Sequence, residues 1–299
     1  MSEFLQFNRQ SEDLSFTAGG SPERSVNHGN SHGSLVPQMR SDLVKLYIYL
    51  ANSRMRKLSL RKVSTGMGIQ TAVILVGGAG LRCRPFTEDM PKCMIPLRGK
   101  PLLHWTLSWL KEYGFNHIVL GVSYRKEVII DYVNHNPMGV KVDFSEHTQE
   151  GETGEGFRLA IRRHVKDENF LAMNGDEFTN LNLQRFADFH LKHKSVVTIA
   201  VASMQSPFGI LEIDGHDIVG FKEKPVLEDK PISIGIYIFN HAVLDYLPLS
   251  GSIEKTAFPK LAEKRLVKAY RLSGSERWLT INSVKDLSLA EARFKVIRG

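Results

Sequence analysis

The spacing of apolar and polar residues after residue 67 indicates strands that alternate with helices. Apolar runs with the length and composition of buried strands occur at TAVILV (71–76), HIVLGV (117–122), VKVDF (140–144), FLAMN (170–174) and VVTIAVA (196–202). Between these runs, apolar residues recur at helical spacing over 101–114, 127–133, 156–165 and 183–193. Such alternation predicts an α/β fold with a Rossmann-like mixed, mainly parallel sheet that is flanked by helices.

The pattern changes in the last third of the chain. Residues 209–225 carry Asp-Gly and Gly-His turn signals and predict a β-hairpin, and ISIGIYIFN (232–240) predicts a further strand. Two amphipathic stretches, 253–265 and 284–297, predict closing helices.

The first 66 residues have a different composition from the rest of the chain. Residues 1–38 are rich in Ser, Gly, Asn and Pro, and residues 39–66 join a short apolar stretch to the basic RMRKLSLRK. A segment with so few apolar residues buries too little surface to order itself. We therefore expect residues 1–66 to be a disordered or weakly ordered extension and residues 67–299 to form a single domain.

Composition and charge exclude several functional classes. The net charge is +7, and residues 1–66 supply nine Lys or Arg against five acids, so the remainder is only mildly basic. No basic stripe with interleaved aromatics is visible, and no nucleic-acid partner is expected. No apolar run approaches the roughly 20 residues of a membrane span. Cys83 and Cys93 form no CxxC or Cys/His cluster, which argues against zinc and makes the cytoplasm the expected compartment.

A glycine-rich turn follows the first predicted strand, in VILVGGAGLRCRPFTEDMPKCMIP (73–96). Gly77, Gly78 and Gly80 stand where an open α/β sheet binds its ligands, and glycine lets backbone N–H groups approach phosphate oxygens. The loop lacks the Gly-Lys-Ser/Thr ending of a Walker A loop, and Cys83 replaces the third glycine of a dinucleotide fingerprint. On these residues alone, a phosphate loop and a simple tight turn both remain open.

The whole string resembles the GGxGxRxxPxT…PKxxxPxxxxP signature of sugar-1-phosphate nucleotidyltransferases. The matching residues are Gly77, Gly78, Gly80, Arg82, Pro85, Thr87, Pro91, Lys92, Pro96 and Pro101. The resemblance implies that the glycine loop wraps the nucleotide, that Arg82 holds the leaving pyrophosphate and that Lys92 meets the α-phosphate. Fixed cations at these places suit phosphoryl-type transfer, which depends on positioning and on neutralising the charge of the oxygens.

An acidic motif, Asn174-Gly175-Asp176, follows the strand FLAMN. A carboxylate at a strand end beside a phosphate loop suits Mg²⁺, which binds through one or two carboxylates and substrate phosphates. The resemblance makes Asp176 a metal ligand and catalytic residue, and it implies Mg²⁺ as cofactor. The adjacent Glu177 is expected to face solvent.

Further segments resemble the substrate-binding elements of the family. EHTQEGETGEG (146–156) stands in the place of the segment that contacts the base, with Thr153 and Gly154 matching, although glutamates replace small residues at 152 and 155. GFKEKP (220–225), SPFG (206–209) and SIGIYIF (233–239) resemble the elements that bind the sugar phosphate, which implies roles for Gly209, Glu223, Lys224, Gly235 and Tyr237. Adjacent strand residues point to opposite faces, so one of Glu223 and Lys224 could be only a solvated charge. Glycines at strand positions, here Gly209 and Gly235, indicate either that a ligand approaches the backbone closely or that the strand has a bulge.

The chain departs from the family near its end. Many members carry a second metal-binding aspartate in a WxDxGT string, but here Thr280 stands in its place, within Trp278–Ser283. Either Asn282 supplies the metal ligand through its amide oxygen, which is the interpretation we favour, or the metal site is damaged.

These motifs together predict a Mg²⁺-dependent nucleotidyltransferase that joins an NTP to a sugar 1-phosphate and releases pyrophosphate. Two alternatives remain at this stage. One is a catalytically silent protein that binds nucleotide sugars, and the other is a cytidylyltransferase that acts on a polyol phosphate or phosphocholine.

Overall fold

A computed structural model describes residues 68–298 of the chain. The expectation that residues 1–66 are disordered concerns residues outside this range. Within it, a seven-stranded sheet forms the centre of the fold, in the order β12-β8-β11-β6-β1-β4-β5. These strands are β1 (Thr71–Leu75), β4 (His117–Val122), β5 (Lys141–Glu146), β6 (Asn169–Asn174), β8 (Val197–Gln205), β11 (Val226–Asn240) and β12 (Val267–Arg271).

The sheet is mixed and mainly parallel, as the sequence predicts. Neighbouring strands run parallel except at β11, which lies antiparallel to β6 on one side and to β8 on the other. Six shorter strands form three two-stranded ribbons. The first pairs β2 (Pro96–Leu97) with β3 (Lys100–Pro101), and the second pairs β9 (Ile210–Asp214) with β10 (Asp217–Lys222). The third pairs β7 (Glu177–Thr179) with β13 (Trp278–Thr280). The predicted hairpin is therefore confirmed as β9 and β10.

Six α-helices surround the central sheet within residues 68–298. They are α1 (Leu102–Glu112), α2 (Lys126–His135), α3 (Glu152–His164), α4 (Leu183–His193), α5 (Ala257–Glu263) and α6 (Val284–Arg298). The predicted helix over 183–193 is confirmed to the residue. By contrast, α3 begins four residues before the expected position, and α5 begins at Ala257 rather than at residue 253. None of the helices in this part of the chain has the length and apolarity that crossing a membrane requires.

Two hydrophobic cores lie on opposite faces of the sheet. Successive residues of a strand point to opposite faces, so Ala72 and Ile74 pack with α1, α2 and α4, whereas Val73 packs with α3 and α5. A third, smaller core joins α6 to the segment after the glycine loop through Cys83, Ile95 and Ile297. Fully burying each large apolar side chain contributes about 1.5–3 kcal/mol, so these cores fix the strand ends that carry the site.

Candidate active site

The ends of two neighbouring parallel strands create the site. Leu75 of β1 lies opposite Asn174 of β6, and the Gly175 N–H donates to the Leu75 carbonyl oxygen at 2.8 Å. The segments that follow β1 and β6 therefore both leave the sheet at its carboxyl edge, where open α/β sheets bind ligands. The glycine loop and Asp176 face the same cleft as a consequence.

This cleft has a volume of about 810 Å³, which is within the range of about 300–1,000 Å³ that is usual for ligand pockets. Its walls include most of the residues that the sequence assigns to the nucleotide and the metal: Gly77, Gly78, Gly80, Arg82, Lys92, Thr153, Asp176 and Asn282. The sequence places these residues in four separate segments, and the fold brings them together.

The glycine loop is shaped by close packing against Lys92. Gly80 has a φ of +61°, and a Cβ atom at this position would lie 2.9 Å from the Lys92 Cβ. The Thr87 hydroxyl donates to the Gly80 carbonyl oxygen at 2.8 Å and fastens the turn. Two single 3-10 turns, Leu81–Cys83 and Lys92–Met94, lie within the segment that follows the glycines. No ion pair within residues 68–298 engages Arg82, which leaves its guanidinium available to a ligand.

The Lys92 ammonium contacts two side-chain oxygens in the cleft. Its Nζ lies 2.5 Å from Asp176 Oδ2 and 2.6 Å from Asn282 Oδ1. The Lys92 side chain is only 12% exposed, so its charge is partly shielded from water and acts strongly on its neighbours. The two oxygens converge on one cationic group, and this arrangement also suits a hard divalent cation. The described residues contain no cluster of three or more His, Cys, Asp or Glu that could hold a metal without substrate.

The start of α6 orients the Asn282 side chain. The Asn282 Nδ2 donates to Thr280 Oγ1 at 3.0 Å, which turns the amide oxygen towards Lys92. The Asn282 backbone N–H donates to Asp286 Oδ2 at 3.0 Å, and Ser283 and Asp286 exchange hydrogen bonds as in a capping box. Thr280 stands where the family has its second aspartate. Its hydroxyl orients Asn282, and the Asn282 amide oxygen takes the place of the missing carboxylate oxygen.

The expectation that Glu177 faces solvent is wrong. Glu177 is 8% exposed, and its Oε2 accepts a hydrogen bond of 2.6 Å from the indole N–H of Trp278. Burial raises the pKa of Glu177 well above its usual range, and the charge of Asp176 raises it further. The side chain is buried because β7 pairs with β13, a short ribbon that has no clear periodicity in the sequence.

The segment assigned to the base divides into two parts. Thr153 lines the cleft, and its hydroxyl donates to Glu254 Oε2 at 3.2 Å and accepts from the Ile253 N–H at 3.0 Å. Gly154 does not line the cleft; its N–H donates to the Gly251 carbonyl oxygen at 2.8 Å, and a Cβ atom there would lie 2.4 Å from that oxygen. The structure thus gives Gly154 a packing role at the start of α3.

The residues assigned to the sugar phosphate fall into two groups, and neither group lines the cleft. Gly209, Glu223 and Lys224 lie at the base of the β9–β10 hairpin, where a Cβ atom at Gly209 would be 3.2 Å from Glu223 Oε2. Strand β10 ends at Lys222, so Glu223 and Lys224 are not constrained to opposite faces, and their charged groups pair at 3.3 Å. Both side chains are more than half exposed.

The second group lies on β11. A Cβ atom at Gly235 would be 2.6 Å from Glu177 Oε1 and 2.9 Å from Asn174 Nδ2, so Gly235 allows β11 to pass close behind Asp176. The next but one residue, Tyr237, is 1% exposed and packs among the aromatic residues beneath α3 and α5. Its hydroxyl reaches Glu254 Oε1 at 3.4 Å, and this is its link to the cleft wall.

Several cleft residues carry no sequence signal that singles them out. His147, Ser252, Glu254 and Lys255 all line the cleft. Residues 252–255 lie in a loop because α5 begins only at Ala257, whereas the sequence pattern predicts a helix from residue 253 onwards. His147 Nε2 is buried without a hydrogen-bond partner in the described part of the chain. Cys93 also lines the cleft, but burial raises the pKa of its thiol to about 12, which excludes it as a nucleophile at neutral pH.

Sequence comparison places this chain among known nucleotidyl transferases. The family model described as nucleotidyl transferase matches residues 71–293. The mannose-1-phosphate guanylyltransferase of Mycobacterium tuberculosis is 31% identical over 238 residues, which are 76% of this chain and 65% of that protein. The catalytic subunit beta of mannose-1-phosphate guanylyltransferase from Xenopus tropicalis is 33% identical over 224 residues, or 72% of this chain and 62% of that protein. The chain therefore spans slightly less than two thirds of the length of these relatives.

Solved structures with the same fold support this placement. HddC from Yersinia pseudotuberculosis aligns with a TM-score of 0.61 at 27% identity, covering 76% of this chain and 100% of that protein. A second structure of HddC, described as a complex with GMP-PN, aligns equally well, with a TM-score of 0.61.

Proposed function

The chain belongs to the nucleotidyl transferase family, and on that premise we propose that it joins an NTP to a sugar 1-phosphate, giving a nucleotide sugar and pyrophosphate. One observation carries the proposal: the glycine loop with Arg82, the Lys92 ammonium and the Asp176 carboxylate all face one cleft at the strand ends. The proposal assigns the activity to a single domain, residues 67–299. We also propose a cytoplasmic location, because Cys83 and Cys93 are both free thiols, as is usual in a reducing compartment.

Charge neutralisation accounts for the transfer step. An oxygen of the sugar 1-phosphate attacks the α-phosphorus of the NTP, the new P–O bond forms, and the bond to the β-phosphate oxygen breaks with its electron pair leaving on pyrophosphate. The attacking oxygen is already anionic, so the reaction needs no general base. Lys92 neutralises the charge that spreads over the α-phosphate oxygens. Arg82 and the backbone N–H groups of the glycine loop hold the departing β- and γ-phosphates.

Asp176 and Asn282 are the proposed ligands of a divalent cation, with Mg²⁺ as the expected ion. Their oxygens lie 2.5 and 2.6 Å from the same Lys92 ammonium and converge on one region of the cleft. Mg²⁺ takes oxygen ligands, and it is commonly held by one or two carboxylates with substrate phosphates completing the set. A bound Mg²⁺ would supply positive charge to the phosphate oxygens in the transition state.

GTP and mannose 1-phosphate are the proposed substrates. The relatives named as mannose-1-phosphate guanylyltransferases support both, and the HddC structure described with GMP-PN supports the guanine nucleotide. Glu223 and Lys224 are proposed to bind the sugar phosphate after moving towards the cleft. Their position at the end of a hairpin ribbon, outside the central sheet, leaves room for such movement.

A substrate matrix tests this function. Pyrophosphate release is measured with Mg²⁺ for ATP, GTP, CTP, UTP and dTTP, each with mannose 1-phosphate, glucose 1-phosphate, a polyol phosphate and phosphocholine. The proposal expects GTP with mannose 1-phosphate to exceed the other pairs. Turnover of CTP with phosphocholine or a polyol phosphate would replace it by the cytidylyltransferase alternative. Nucleotide binding without any pyrophosphate release would replace it by the silent binding protein.

A further inference from the structure

We propose that Glu152 selects the base of the nucleotide by accepting hydrogen bonds from guanine N1–H and N2–H with its carboxylate. The inference rests on the proposed function in one respect, that the cleft binds an NTP. It adds the residue that distinguishes one base from another. The glycine loop and the cations bind the triphosphate, which is the same in every NTP, and so they cannot make this distinction.

The backbone of Glu152 is held in a conformation that favours glycine. Six described residues other than glycine have a positive φ, and Glu152, at 50°, is the one among them that lines the cleft. A strained residue of this kind persists where its surroundings fix it, and strain is concentrated at functional sites. Glycine would relieve the strain, so the presence of glutamate at this position indicates a use for its side chain.

The loop around Glu152 is firmly held. Glu155 accepts hydrogen bonds from the backbone N–H and the hydroxyl of Thr148, at 3.0 and 2.6 Å. The Gly151 N–H donates to the same hydroxyl at 3.0 Å, and the Gly251 N–H donates to the Gly151 carbonyl oxygen at 3.1 Å. These contacts fix residues 148–155 before any ligand binds, so the position of Glu152 is set in advance.

Glu152 and the two nearby carboxylates that hold the loop and the cleft wall, Glu155 and Glu254, have different surroundings. Glu155 is engaged by Thr148, and Glu254 accepts hydroxyl hydrogen bonds from Ser252, Thr153 and Tyr237. The Glu152 backbone N–H donates to the Gln149 carbonyl oxygen at 3.3 Å, but the Glu152 carboxylate has neither a hydrogen bond nor an ion pair within residues 68–298, although the residue lines the cleft. It is therefore the carboxylate that is available to a ligand.

Charge decides which part of the nucleotide meets Glu152. The triphosphate must lie against Arg82, Lys92 and the N–H groups of the glycine loop, because a carboxylate repels phosphate. The nucleoside is thus left for the wall formed by Gln149, Glu152 and Thr153.

Guanine is the base whose edge matches a carboxylate. Its N1–H and N2–H groups are adjacent donors, and an ionised carboxylate is an acceptor with two oxygens that can take both. Adenine and cytosine present a ring-nitrogen acceptor beside their amino group, and uracil and thymine present one N–H between two carbonyl oxygens. Each of these four bases would bring an oxygen or nitrogen acceptor against the carboxylate.

The test measures nucleotide binding by calorimetry, without the sugar phosphate, for wild type, Glu152→Gln and Glu152→Gly. The ligands are GTP, ITP, which lacks the N2 amino group, XTP, which has a carbonyl oxygen there, and dGTP. We expect wild type to bind GTP about tenfold or more above ITP, since hydrogen bonds to a charged group are the strong ones. Glu152→Gln should move the preference towards XTP, because its amide can accept from N1–H and donate to the carbonyl oxygen.

Glu152→Gly separates a role in binding from a role in folding. It should abolish the preference for GTP over ITP while leaving the melting temperature unchanged or raised, because glycine adopts a φ of about +50° without strain. Glu150→Gln changes an exposed glutamate of the same loop that does not line the cleft, and it should keep the preference.

Three results would overturn the inference. The first is an unchanged ratio of GTP to ITP affinity in both Glu152 variants. The second is sensitivity to the loss of the ribose hydroxyl in dGTP instead of the amino group in ITP. The third is wild-type binding of ITP or XTP at least as tight as that of GTP. A failure of the proposed function looks different. In that case GTP binds with the expected dependence on Glu152, but no sugar 1-phosphate releases pyrophosphate.

Discussion

The ammonium of Lys92 lies 2.6 Å from Asn282 Oδ1, although 190 residues separate the two along the chain. Asp176 completes the group at 2.5 Å from the same nitrogen. The contact joins the loop after β1 to the segment before α6, so the cation and both proposed metal ligands are positioned together.

Replacing Lys92 should abolish most of the activity without unfolding the protein. Lys92→Ala removes the charge that meets the α-phosphate, and we expect turnover to fall by about 10²–10³-fold, the cost of losing one transition-state contact. Lys268→Ala, which removes an exposed lysine of β12, is the matched control and should keep wild-type turnover. Near-native turnover of Lys92→Ala, measured by pyrophosphate release, would rule out the assigned role.

Changes at Asn282 should alter the requirement for Mg²⁺. Asn282→Asp supplies a charged oxygen and should lower the Mg²⁺ concentration for half-maximal activity, whereas Asn282→Ala should raise it at least several-fold. Thr280→Val removes the acceptor that orients the amide at 3.0 Å, so its effect should lie between those of wild type and Asn282→Ala. A Mg²⁺ titration that is identical for all of these variants would contradict the assignment of Asn282 as a ligand.

Gly235→Ala should destabilise the protein more than glycine replacement at an open position. The added methyl group would meet Glu177 and Asn174 at a φ of +70°, so both strain and steric contact oppose it. We expect the free energy of unfolding to fall by about 2–4 kcal/mol, with loss of activity because Asp176 is displaced. At Gly114 the φ is +86° with no atom within 4 Å, so Gly114→Ala should cost only about 1 kcal/mol of backbone strain. Equal losses in urea unfolding of the two variants would show that the contact behind the site has no effect.

Stability should fall on acidification because His190 is buried. Burial lowers the pKa of His190 from 6.5 to about 4, and its ring nitrogens contact Thr198 Oγ1 at 2.8 Å and Asn169 Oδ1 at 3.0 Å. The unfolded chain takes up this proton first, so the contribution is fully present above pH 6.5 and is lost as the pH falls to about 4. The loss amounts to roughly 3 kcal/mol at about 1.4 kcal/mol per pKa unit.

Urea unfolding at a series of pH values checks this prediction. His190→Gln has no imidazole to protonate, so it should be less stable than wild type at neutral pH and should approach wild-type stability near pH 4. Parallel pH profiles for the two proteins would show that His190 does not titrate as described.

The architecture could be predicted because burial imposes regular spacing on the sequence. The runs at 71–76 and 117–122 became β1 and β4, and 183–193 became α4. The orientation of β11 could not be predicted, because a strand that is buried on both faces has the same pattern in either direction. The β7–β13 ribbon was missed because each of its strands has only three residues.

The nucleotide side of the site was easier to predict than the sugar side. The glycine loop, Lys92 and Asp176 come after the carboxyl ends of predicted parallel strands. Because these ends meet at one edge of the sheet, where ligands bind, the sequence is enough to place them together. Tyr237, which was expected to bind the sugar phosphate, lies in a core instead. Its neighbours Ile236 and Ile238 face α1 and α4, and because successive strand residues point to opposite faces, Tyr237 packs in the core on the other side of the sheet. Glu254 was hidden because helical periodicity extends beyond the point where α5 begins, although Thr256 at the N-cap and Pro259 in the first turn are residue types that mark a helix start.

The most direct test of the proposed transfer follows the phosphorus atoms of GTP through the reaction with mannose 1-phosphate and Mg²⁺. GTP is labelled in separate samples at the α- and the γ-phosphorus, and the products are separated. We predict that the α label appears in the nucleotide sugar and the γ label in pyrophosphate, in equal amounts, and that neither occurs with Lys92→Ala. Release of the γ label as orthophosphate, or recovery of both labels in intact GTP that is nevertheless bound, would contradict nucleotidyl transfer at this site.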